Sequence, residues 1–262
     1  MSYTVIFCEG ITDRVFLGSF LKSSDLNCNE IIGYEDLQCE KIFARTKKYN
    51  KRVDYYSYSD RNYVAVCEVG GCNFLDDVKY IFAREILEHK VDKIIIVTDH
   101  DEENECKNRC KDIFDGISRI DGVKTVEDQN NEKHRSFVVK NQFEVATIDI
   151  LFVDIPLNSM GNLETLVLDC ICKPTRDDSD SVDRKYVKEE SKSFVEKLDK
   201  KKCLKSRRDQ IKAPLGVAIA LLNPGRALCT MKQLIDSIDF EQFKDLKELM
   251  VILDFINDKE LN

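Results

Sequence analysis

The chain has 262 residues, a hydrophobic fraction of 43% and a formal net charge of −8 at pH 7. This length allows one large domain or two small ones with a buried core. The net acidity excludes a uniformly basic nucleic-acid coat protein. Because the sequence has no apolar run of membrane-spanning length and no recognisable targeting segment, we expect a cytoplasmic protein that does not bind membranes.

Cysteine is abundant, with 11 residues, but the number is odd and the spacings are irregular. The closest pairs are Cys67 and Cys72, Cys106 and Cys110, and Cys170 and Cys172. None of them forms a Cys-x-x-Cys motif, and only three histidines are present. We therefore expect reduced, buried thiols that behave as small apolar side chains, and no structural zinc site.

The first predicted unit is a strand followed by a turn and a helix. Residues 4–8 form an apolar run typical of a buried strand, and Glu9 and Gly10 follow as a turn. The apolar pattern over residues 12–21 predicts an amphipathic helix.

A polar and poorly periodic segment follows at 23–62 and is interpreted as an insertion. Within it, Tyr55, Tyr56 and Tyr58 alternate with other residues, a pattern that favours one strand of a hairpin. Aromatic side chains on such a strand could also serve as a platform for stacked bases.

The middle of the chain alternates strands with helices. Apolar runs predict strands at 63–69, 92–98, 123–126 and 148–153, with helices at about 73–89, after residue 101 and from about residue 162. The run at 92–98 is unbroken, as expected for a central parallel strand that is covered on both faces. This alternation predicts an α/β fold, Rossmann-like, with a mostly parallel sheet flanked by helices.

The composition changes near residue 173, beyond which only helices are predicted. Their expected positions are 183–200, 206–222, 230–237 and 240–257. The predicted organisation is an α/β domain at 1–172 and a helical C-terminal region at 173–262. The second part is a reasonable surface for a homodimer or another partner.

Polar residues directly follow three of the predicted strands. Glu9 comes after the first strand with Asp13 four residues later, a Gly-Gly pair follows the second strand, and Asp99 and Asp101 follow the third. In α/β proteins, ligands bind at the carboxyl ends of parallel strands. These residues are therefore expected to lie together at one edge of the sheet.

Carboxylates in this arrangement suit a magnesium site. Asp99 and Asp101, two positions apart, extend to the same side of a strand and could hold one Mg²⁺ between them. Glu9 and Asp13 could complete that site or form a second one. Two ions would activate a water and stabilise the leaving oxygen of a phosphodiester, and crowded acids need a cation to remain ionised together.

Each feature also has a simpler explanation when it is taken alone. An Asp-x-Asp sequence is common in solvated turns and helix caps. Asp13 could favour the N-terminus of its helix electrostatically without touching a metal. It is the order of these residues, and their placement after strands, that favours a metal site.

The acidic chain contains two runs of basic residues. Residues 41–52 and 200–208 each contain six basic residues. Such runs commonly form solvated faces, but two of them around an acidic centre suggest a surface that tracks phosphates. The candidate nucleic-acid contacts are Lys47, Lys48, Lys51, Arg52, Lys205, Arg207 and Arg208.

Two motifs resemble those of the TOPRIM family. Residues 5–17 contain Glu-Gly-x-x-Asp-x-x-Phe, which is similar to the first TOPRIM motif, and residues 94–101 resemble the second, with its Asp-x-Asp. The spacing of Glu9 and Asp13 is similar to that in the nucleases of the OLD (overcoming lysogenization defect) group. Residues 161–168 resemble a segment of their stand-alone relatives.

The resemblance implies a TOPRIM-like fold, nuclease activity and a set of site residues. The implied metal ligands are Glu9, Asp13, Asp99, Asp101 and Glu164, which would hold two ions of Mg²⁺ or Mn²⁺. Glu9, Asp99, Asp101 and Lys212 would be catalytic, with Lys205 as an alternative to Lys212. The lysine would stabilise charge on the phosphate.

The resemblance further implies an effector of bacterial anti-phage defence that acts on DNA or RNA with an ABC-type ATPase partner. The chain itself has no Gly-x-x-x-x-Gly-Lys-Ser/Thr sequence for an ATPase. An alternative interpretation is a catalytically silent phosphate- or nucleotide-sensing module with the same fold. A receiver-like or phosphatase-like protein is disfavoured, because the first strand ends in Glu and the third in a pair of aspartates.

Overall fold

The structure is a computed structural model that describes residues 2–24, 26, 28–31, 53–59, 62–71, 74–85, 91–100, 105–126, 131–140, 145–156, 161–173, 183–204, 207–222, 233, 235 and 246–258. Within these residues the strands are β1 (Ser2–Cys8), β2 (Asn29–Glu30), β3 (Val53–Ser59), β4 (Asn62–Glu68), β5 (Val91–Asp99), β6 (Val123–Thr125), β7 (His134–Lys140) and β8 (Val145–Ile155).

The helices of the described residues follow the predicted order. They are α1 (Ile11–Ser23), α2 (Phe74–Tyr80), α3 (Glu105–Ser118), α4 (Leu163–Ile171), α5 (Arg184–Lys200), α6 (Arg207–Leu222) and α7 (Lys247–Ile256). A π-helical turn, Ile81–Glu85, continues α2. Apart from two single residues, the helix predicted at 230–237 lies outside the described part of the chain. No described helix is long and apolar enough to cross a membrane.

The strands form one eight-stranded sheet in the order β2-β3-β4-β1-β5-β8-β7-β6. Its four central strands, β4, β1, β5 and β8, run parallel, and the outer strands pair antiparallel with their neighbours. The predicted α/β fold with a mostly parallel sheet is therefore confirmed at the centre. The antiparallel pairing of β3 with β4 agrees with the hairpin predicted from the tyrosine cluster. β7 was not predicted, because it lies in a polar segment without a long apolar run.

Apolar side chains fill both faces of this sheet. Ile95 and Val97 of β5 pack with α1, α4, α6 and α7, whereas Ile94 and Ile96 pack with α2 and α3. Because successive side chains of a strand point to opposite faces, a strand covered on both sides needs an unbroken apolar run. We call the two sides the α1 face and the α3 face.

The helical C-terminal region shares the core of the α1 face. Leu215 of α6 and Leu249 of α7 belong to the same buried cluster as Ile95. In addition, the buried Lys93 donates a hydrogen bond of 2.8 Å to the carbonyl of Ile256, at the end of α7. The helices beyond residue 173 therefore pack directly on the sheet.

Part of the segment interpreted as an insertion belongs to the sheet. β2 and β3 lie within residues 23–62, and β3, which carries the three tyrosines, pairs antiparallel with β4. Tyr56 is only 3% exposed, and a side chain at Gly18 of α1 would overlap its hydroxyl. Tyr56 is therefore a core residue, which contradicts the expectation that it stacks on bases.

The described cysteines are free thiols, as expected. Burial raises the pKa of the Cys28, Cys110 and Cys170 thiols to about 12, so they stay protonated and behave as apolar groups. The buried members are Cys8, Cys28, Cys67, Cys110, Cys170 and Cys172, and Cys203 is exposed.

Candidate active site

Glu9 and Asp99 meet at the carboxyl edge of the central strands. β1 and β5 are adjacent and parallel, and Glu9 follows the last residue of β1 whereas Asp99 is the last residue of β5. The Glu9 Oε1 atom accepts a hydrogen bond of 3.2 Å from the Asp99 backbone N–H. It accepts a second, of 2.6 Å, from the Thr98 hydroxyl. The edge predicted from the strand pattern therefore brings the Glu9 carboxylate to the end of β5, beside Asp99.

Arg109 joins this group from α3. Its Nη1 atom lies 3.2 Å from Glu9 Oε1 and also donates to the Thr98 hydroxyl oxygen. Neither Arg109 nor Thr98 is among the site residues predicted from the sequence. One signal was available, because Arg109 immediately precedes the buried stripe of α3 that contains Cys110, Ile113 and Phe114. Arg109 also precedes the buried Ile113 by four residues, so it lies about one turn from it on the same side of α3.

Asp13 lies in the first turn of α1 and caps it. Its Oδ2 atom accepts a 2.8 Å hydrogen bond from the Gly10 backbone N–H, so the simpler structural role considered for this residue is present. Burial raises the pKa of the Asp13 carboxyl to about 6, and the Gly10 bond opposes that shift. Nearby Glu164 and Glu9 raise the pKa further, which places Asp13 close to the other carboxylates.

The Asp99 carboxyl is buried close to the other carboxylates of the site. Burial raises its pKa to about 8, with further increases caused by Asp13, Glu9 and Glu164. Its Oδ1 atom accepts a hydrogen bond of 3.1 Å from the Leu163 backbone N–H at the start of α4, which opposes the shift. At neutral pH without a cation, Asp99 is therefore largely protonated.

α4 is held against the end of β5 by backbone bonds and by its own cap. The His100 N–H donates to the Ile155 carbonyl, and the Gly161 N–H donates to the His100 carbonyl, each over 2.9 Å. Asn162 then caps α4 by accepting a hydrogen bond of 3.1 Å from the Thr165 N–H. These contacts fix the first turn of α4, and with it Glu164, beside Asp99.

Glu164 and Lys212 form an ion pair that links α4 to α6. Lys212 Nζ donates to Glu164 Oε1, and Glu164 is only 5% exposed. The other carboxylate oxygen, Oε2, is buried and makes no hydrogen bond within the described part of the chain. Lys212, the lysine selected from the resemblance, thus lies in the carboxylate group.

The Gly-Gly pair supports Glu9 through its backbone. The N–H groups of Gly70 and Gly71 both donate to the Glu9 carbonyl oxygen over 3.1 Å. Their φ angles of 78° and 132° are conformations that side chains disfavour. The pair therefore fixes the turn in which Glu9 lies.

The site has two sides, divided by the sheet. Glu9 and Thr98 are on the α3 face, because Phe7 and Ile96, two positions earlier in the chain, pack there. Arg109 reaches the same face from α3. The Asp99 side chain alternates with Thr98 and points to the α1 face, where α4 lies. Asp13, Glu164 and Lys212 come from helices of that same face. The carboxylates therefore converge on the edge from both layers.

The described donors fit a hard cation by their chemistry. They are carboxylate oxygens, the ligands that Mg²⁺ prefers, and one of them, Glu164 Oε2, is buried without a hydrogen-bond partner among the described residues. Within the same residues, however, no three acidic, histidine or cysteine side chains form a preassembled metal cluster. Asp101, the other implied ligand, lies outside the described part of the chain.

Most of the predicted nucleic-acid contacts also lie outside the described residues. These are Lys47, Lys48, Lys51, Arg52 and Lys205. Arg207 and Arg208 are placed only by their backbone, in the first turn of α6. Arg208 precedes Lys212 by four residues, which is about one helical turn.

Comparisons with known proteins identify the family of the chain. No curated protein and no solved structure matches it significantly. One family model, described as "Protein of unknown function (DUF3226)", matches residues 3–250. That match runs from β1 into α7 and includes the whole carboxylate group with Lys212 and Arg109. The chain therefore belongs to the DUF3226 family.

Proposed function

We propose that this protein is a Mg²⁺-dependent nuclease of the TOPRIM type, similar to the stand-alone OLD nucleases, that hydrolyses phosphodiester bonds in DNA or RNA. The observation that carries the proposal is the meeting of Glu9 and Asp99 at the ends of adjacent parallel strands, where the Asp99 backbone N–H donates a 3.2 Å hydrogen bond to the Glu9 carboxylate. The silent-module alternative would be favoured if Glu9 could not reach a metal held by Asp99 and Asp101.

The side chains have distinct parts in the proposed reaction. Asp99, Asp13 and Glu164 supply the oxygens that would hold the cation, on the α1 face of the edge, and Glu9 adds its carboxylate from the α3 face. Bound there, Mg²⁺ would supply an activated water and neutralise charge on the phosphate. Lys212 is placed to donate to a phosphate oxygen once it leaves Glu164, and so to stabilise developing negative charge.

The proposed substrate follows from charge and from the position of α6. The second basic run, residues 200–208, leads into the helix that carries Lys212. The phosphate backbone of a nucleic acid bound along this run would therefore be guided to the carboxylate group. By resemblance to the OLD group, we also propose an anti-phage role with an ABC-type ATPase as the partner.

The experiment that tests the proposal measures cleavage of supercoiled plasmid DNA and of total RNA by the full chain, with Mg²⁺, with Mn²⁺ or with a chelator. The key variant is Asp99→Asn, because the amide keeps an oxygen for the Leu163 N–H and removes the charge. Cleavage that needs the metal and disappears in this variant supports the nuclease and identifies its substrate.

Asp149→Asn is the matched control. Asp149 is a carboxylate of β8 that accepts a hydrogen bond from Ser136, six positions before the end of the strand. The variant keeps an acceptor for Ser136 and should cleave at the native rate. Equal losses in Asp99→Asn and Asp149→Asn would show damage to the sheet, not to a reaction centre.

A silent phosphate- or nucleotide-sensing module is the second candidate. Two internal ion pairs favour it, since Arg109 pairs with Glu9 and Lys212 pairs with Glu164. The discriminating measurement is a calorimetric titration with Mn²⁺, and separately with ATP. Nucleotide binding without metal binding or cleavage supports the module, whereas metal binding without cleavage supports an effector that awaits its ATPase partner.

A further inference from the structure

Three hydrogen-bond donors converge on a single oxygen of Glu9. The Thr98 hydroxyl lies 2.6 Å from Glu9 Oε1, the Asp99 N–H 3.2 Å and Arg109 Nη1 3.2 Å. Arg109 also donates to the Thr98 oxygen, so the hydroxyl proton of Thr98 is directed to Glu9. The rotation of the carboxylate is thereby fixed from one side.

None of the hydrogen bonds that the described residues make to the Glu9 side chain reaches its other oxygen, Oε2. A carboxylate with one oxygen saturated by donors and the other open is oriented for a single external ligand. Groups that orient a metal-binding carboxylate in this way commonly raise the affinity of the site.

Thr98 and Arg109 are polar residues beside the apolar core of the α3 face. Thr98 is only 2% exposed, and the neighbouring even-numbered positions of β5, Ile94 and Ile96, are apolar members of the α3-face core. Arg109 has 18% of its side chain exposed. Taking a hydroxyl and a guanidinium out of water has a cost that apolar residues would avoid.

We propose that Thr98 and Arg109 are positioning residues that orient the Glu9 carboxylate for the divalent cation, an inference that rests on the proposed metal-dependent function. Thr98 holds the carboxylate at hydrogen-bond distance from β5. Arg109 holds both Thr98 and Glu9 from α3. Neither residue needs to touch the cation or the substrate, and both act through Oε1 of Glu9.

The test is the affinity of the full chain for Mn²⁺ alone, measured by calorimetry, in two pairs of variants. Thr98→Val retains the shape of the side chain but has no hydroxyl, and Thr98→Ser retains the hydroxyl. Arg109→Gln removes the charge, and Arg109→Lys retains it. We expect Mn²⁺ binding to weaken about 10- to 100-fold in the Val and Gln variants. The Ser variant should bind like the native chain, and the Lys variant should recover part of the loss.

Lys133→Gln is the matched control. It removes the 2.7 Å ion pair of Lys133 with the buried Asp154, whose β8 position is the register partner of Thr98. It therefore perturbs the same face of the sheet without touching Glu9, and its Mn²⁺ affinity should equal that of the native chain.

The outcomes separate this inference from the proposed function. Unchanged Mn²⁺ affinity in Thr98→Val and Arg109→Gln overturns the positioning role while the metal site stands. Tighter binding in Arg109→Gln also overturns it, because Arg109 would then compete with the cation for Glu9. If the native chain does not bind Mn²⁺ at all, the proposed function fails first and the inference fails with it.

Discussion

The carboxylates of the site differ in the hydrogen-bond donors and cations that surround them. Glu9 is met by three donors and Glu164 by Lys212. The Asp99 carboxyl accepts a hydrogen bond from the Leu163 backbone N–H, while burial and three nearby carboxylates raise its pKa. A cation bound at the end of β5 would favour the ionised form of this carboxyl.

The raised pKa of Asp99 predicts a pH dependence of stability in the metal-free protein. The pKa is about 8 in the folded chain against 3.8 in the unfolded chain, and that of Asp13 is about 6. The folded state therefore binds more protons, and its stability falls as the pH rises from about 4 to about 8. We expect a loss on the order of a few kcal/mol, measured by urea unfolding in chelator at pH 5 and pH 8.

Asp99→Asn should remove most of that dependence. An equally steep fall in stability in the Asn variant would assign the effect to other groups. Saturating Mn²⁺ should flatten the native curve in the same way, since a bound cation compensates the ionised carboxylate.

Loss of Lys212 should lower the free energy of unfolding more than the loss of a surface ion pair does. Lys212→Met leaves Glu164, with 6% of its side chain exposed, without its cation. We expect a fall in the free energy of unfolding of about 1–3 kcal/mol, partly restored by Mn²⁺. The comparison is Lys188→Met, which removes the more exposed pair with Asp169 and should cost about 0–1 kcal/mol. Equal losses in the two variants would mean that Glu164 is well solvated.

The residues of the site were predictable to different degrees. Glu9, Asp13 and Asp99 could be found because strand ends are recognisable in a sequence and the carboxyl ends of parallel strands meet. Thr98 and Arg109 could not be found in that way. Their role depends on β1 and β5 being neighbours and on which face each side chain occupies, and both follow from long-range pairing.

At the level of elements, the most informative contact is the close approach of α1 and β3. It explains why a tyrosine-rich strand in a polar segment joins the sheet, since Tyr56 packs over Gly18 where any larger residue would overlap its hydroxyl. The central strands could be predicted because burial on both faces demands continuous apolar runs. β7 and the short β2 could not, since a margin strand has one buried face and a weaker pattern.

Gly18→Ala tests this contact. Alanine is the better helix former by up to about 1 kcal/mol, but overlap with Tyr56 should outweigh that gain and lower stability by about 1–3 kcal/mol. In a Tyr56→Phe background, which lacks the hydroxyl, the loss should be smaller. Gly216→Ala on α6 is the control, because nothing lies within 4 Å of the added carbon. It should stabilise the chain, and destabilisation of both alanine variants to the same extent would contradict the packing argument.

For the whole molecule, the decisive feature is that the sheet and the C-terminal helices share one buried cluster. α6 and α7 cover the α1 face together with α1 and α4. The sequence boundary at residue 173 marks a change from mixed to helical structure, and the packing continues across it. Composition alone could not show this, because helices of a separate domain and helices that cover a sheet are amphipathic in the same way.

A chain that ends at residue 172 should therefore not fold on its own. Without α6 and α7, the apolar side chains of the α1 face that these helices cover would be exposed to water, and each buried aliphatic side chain contributes about 1.5–3 kcal/mol. We expect the truncated chain to bind hydrophobic dyes and to lack a cooperative thermal transition. The full chain should unfold in one transition seen alike by near- and far-UV circular dichroism. A sharp transition in the truncated chain would instead establish an independent domain.

The pairing of Glu164 with Lys212 also determines when the site can be completed during translation. Glu9 and Lys212 lie 203 positions apart in the chain, and ribosomes add about 5–20 residues per second. About 10 to 40 s therefore pass between the synthesis of the first carboxylate and that of the lysine. Throughout that interval the nascent polypeptide lacks the lysine of the site, so under the proposed function the order of translation delays the moment at which the chain can act as a nuclease.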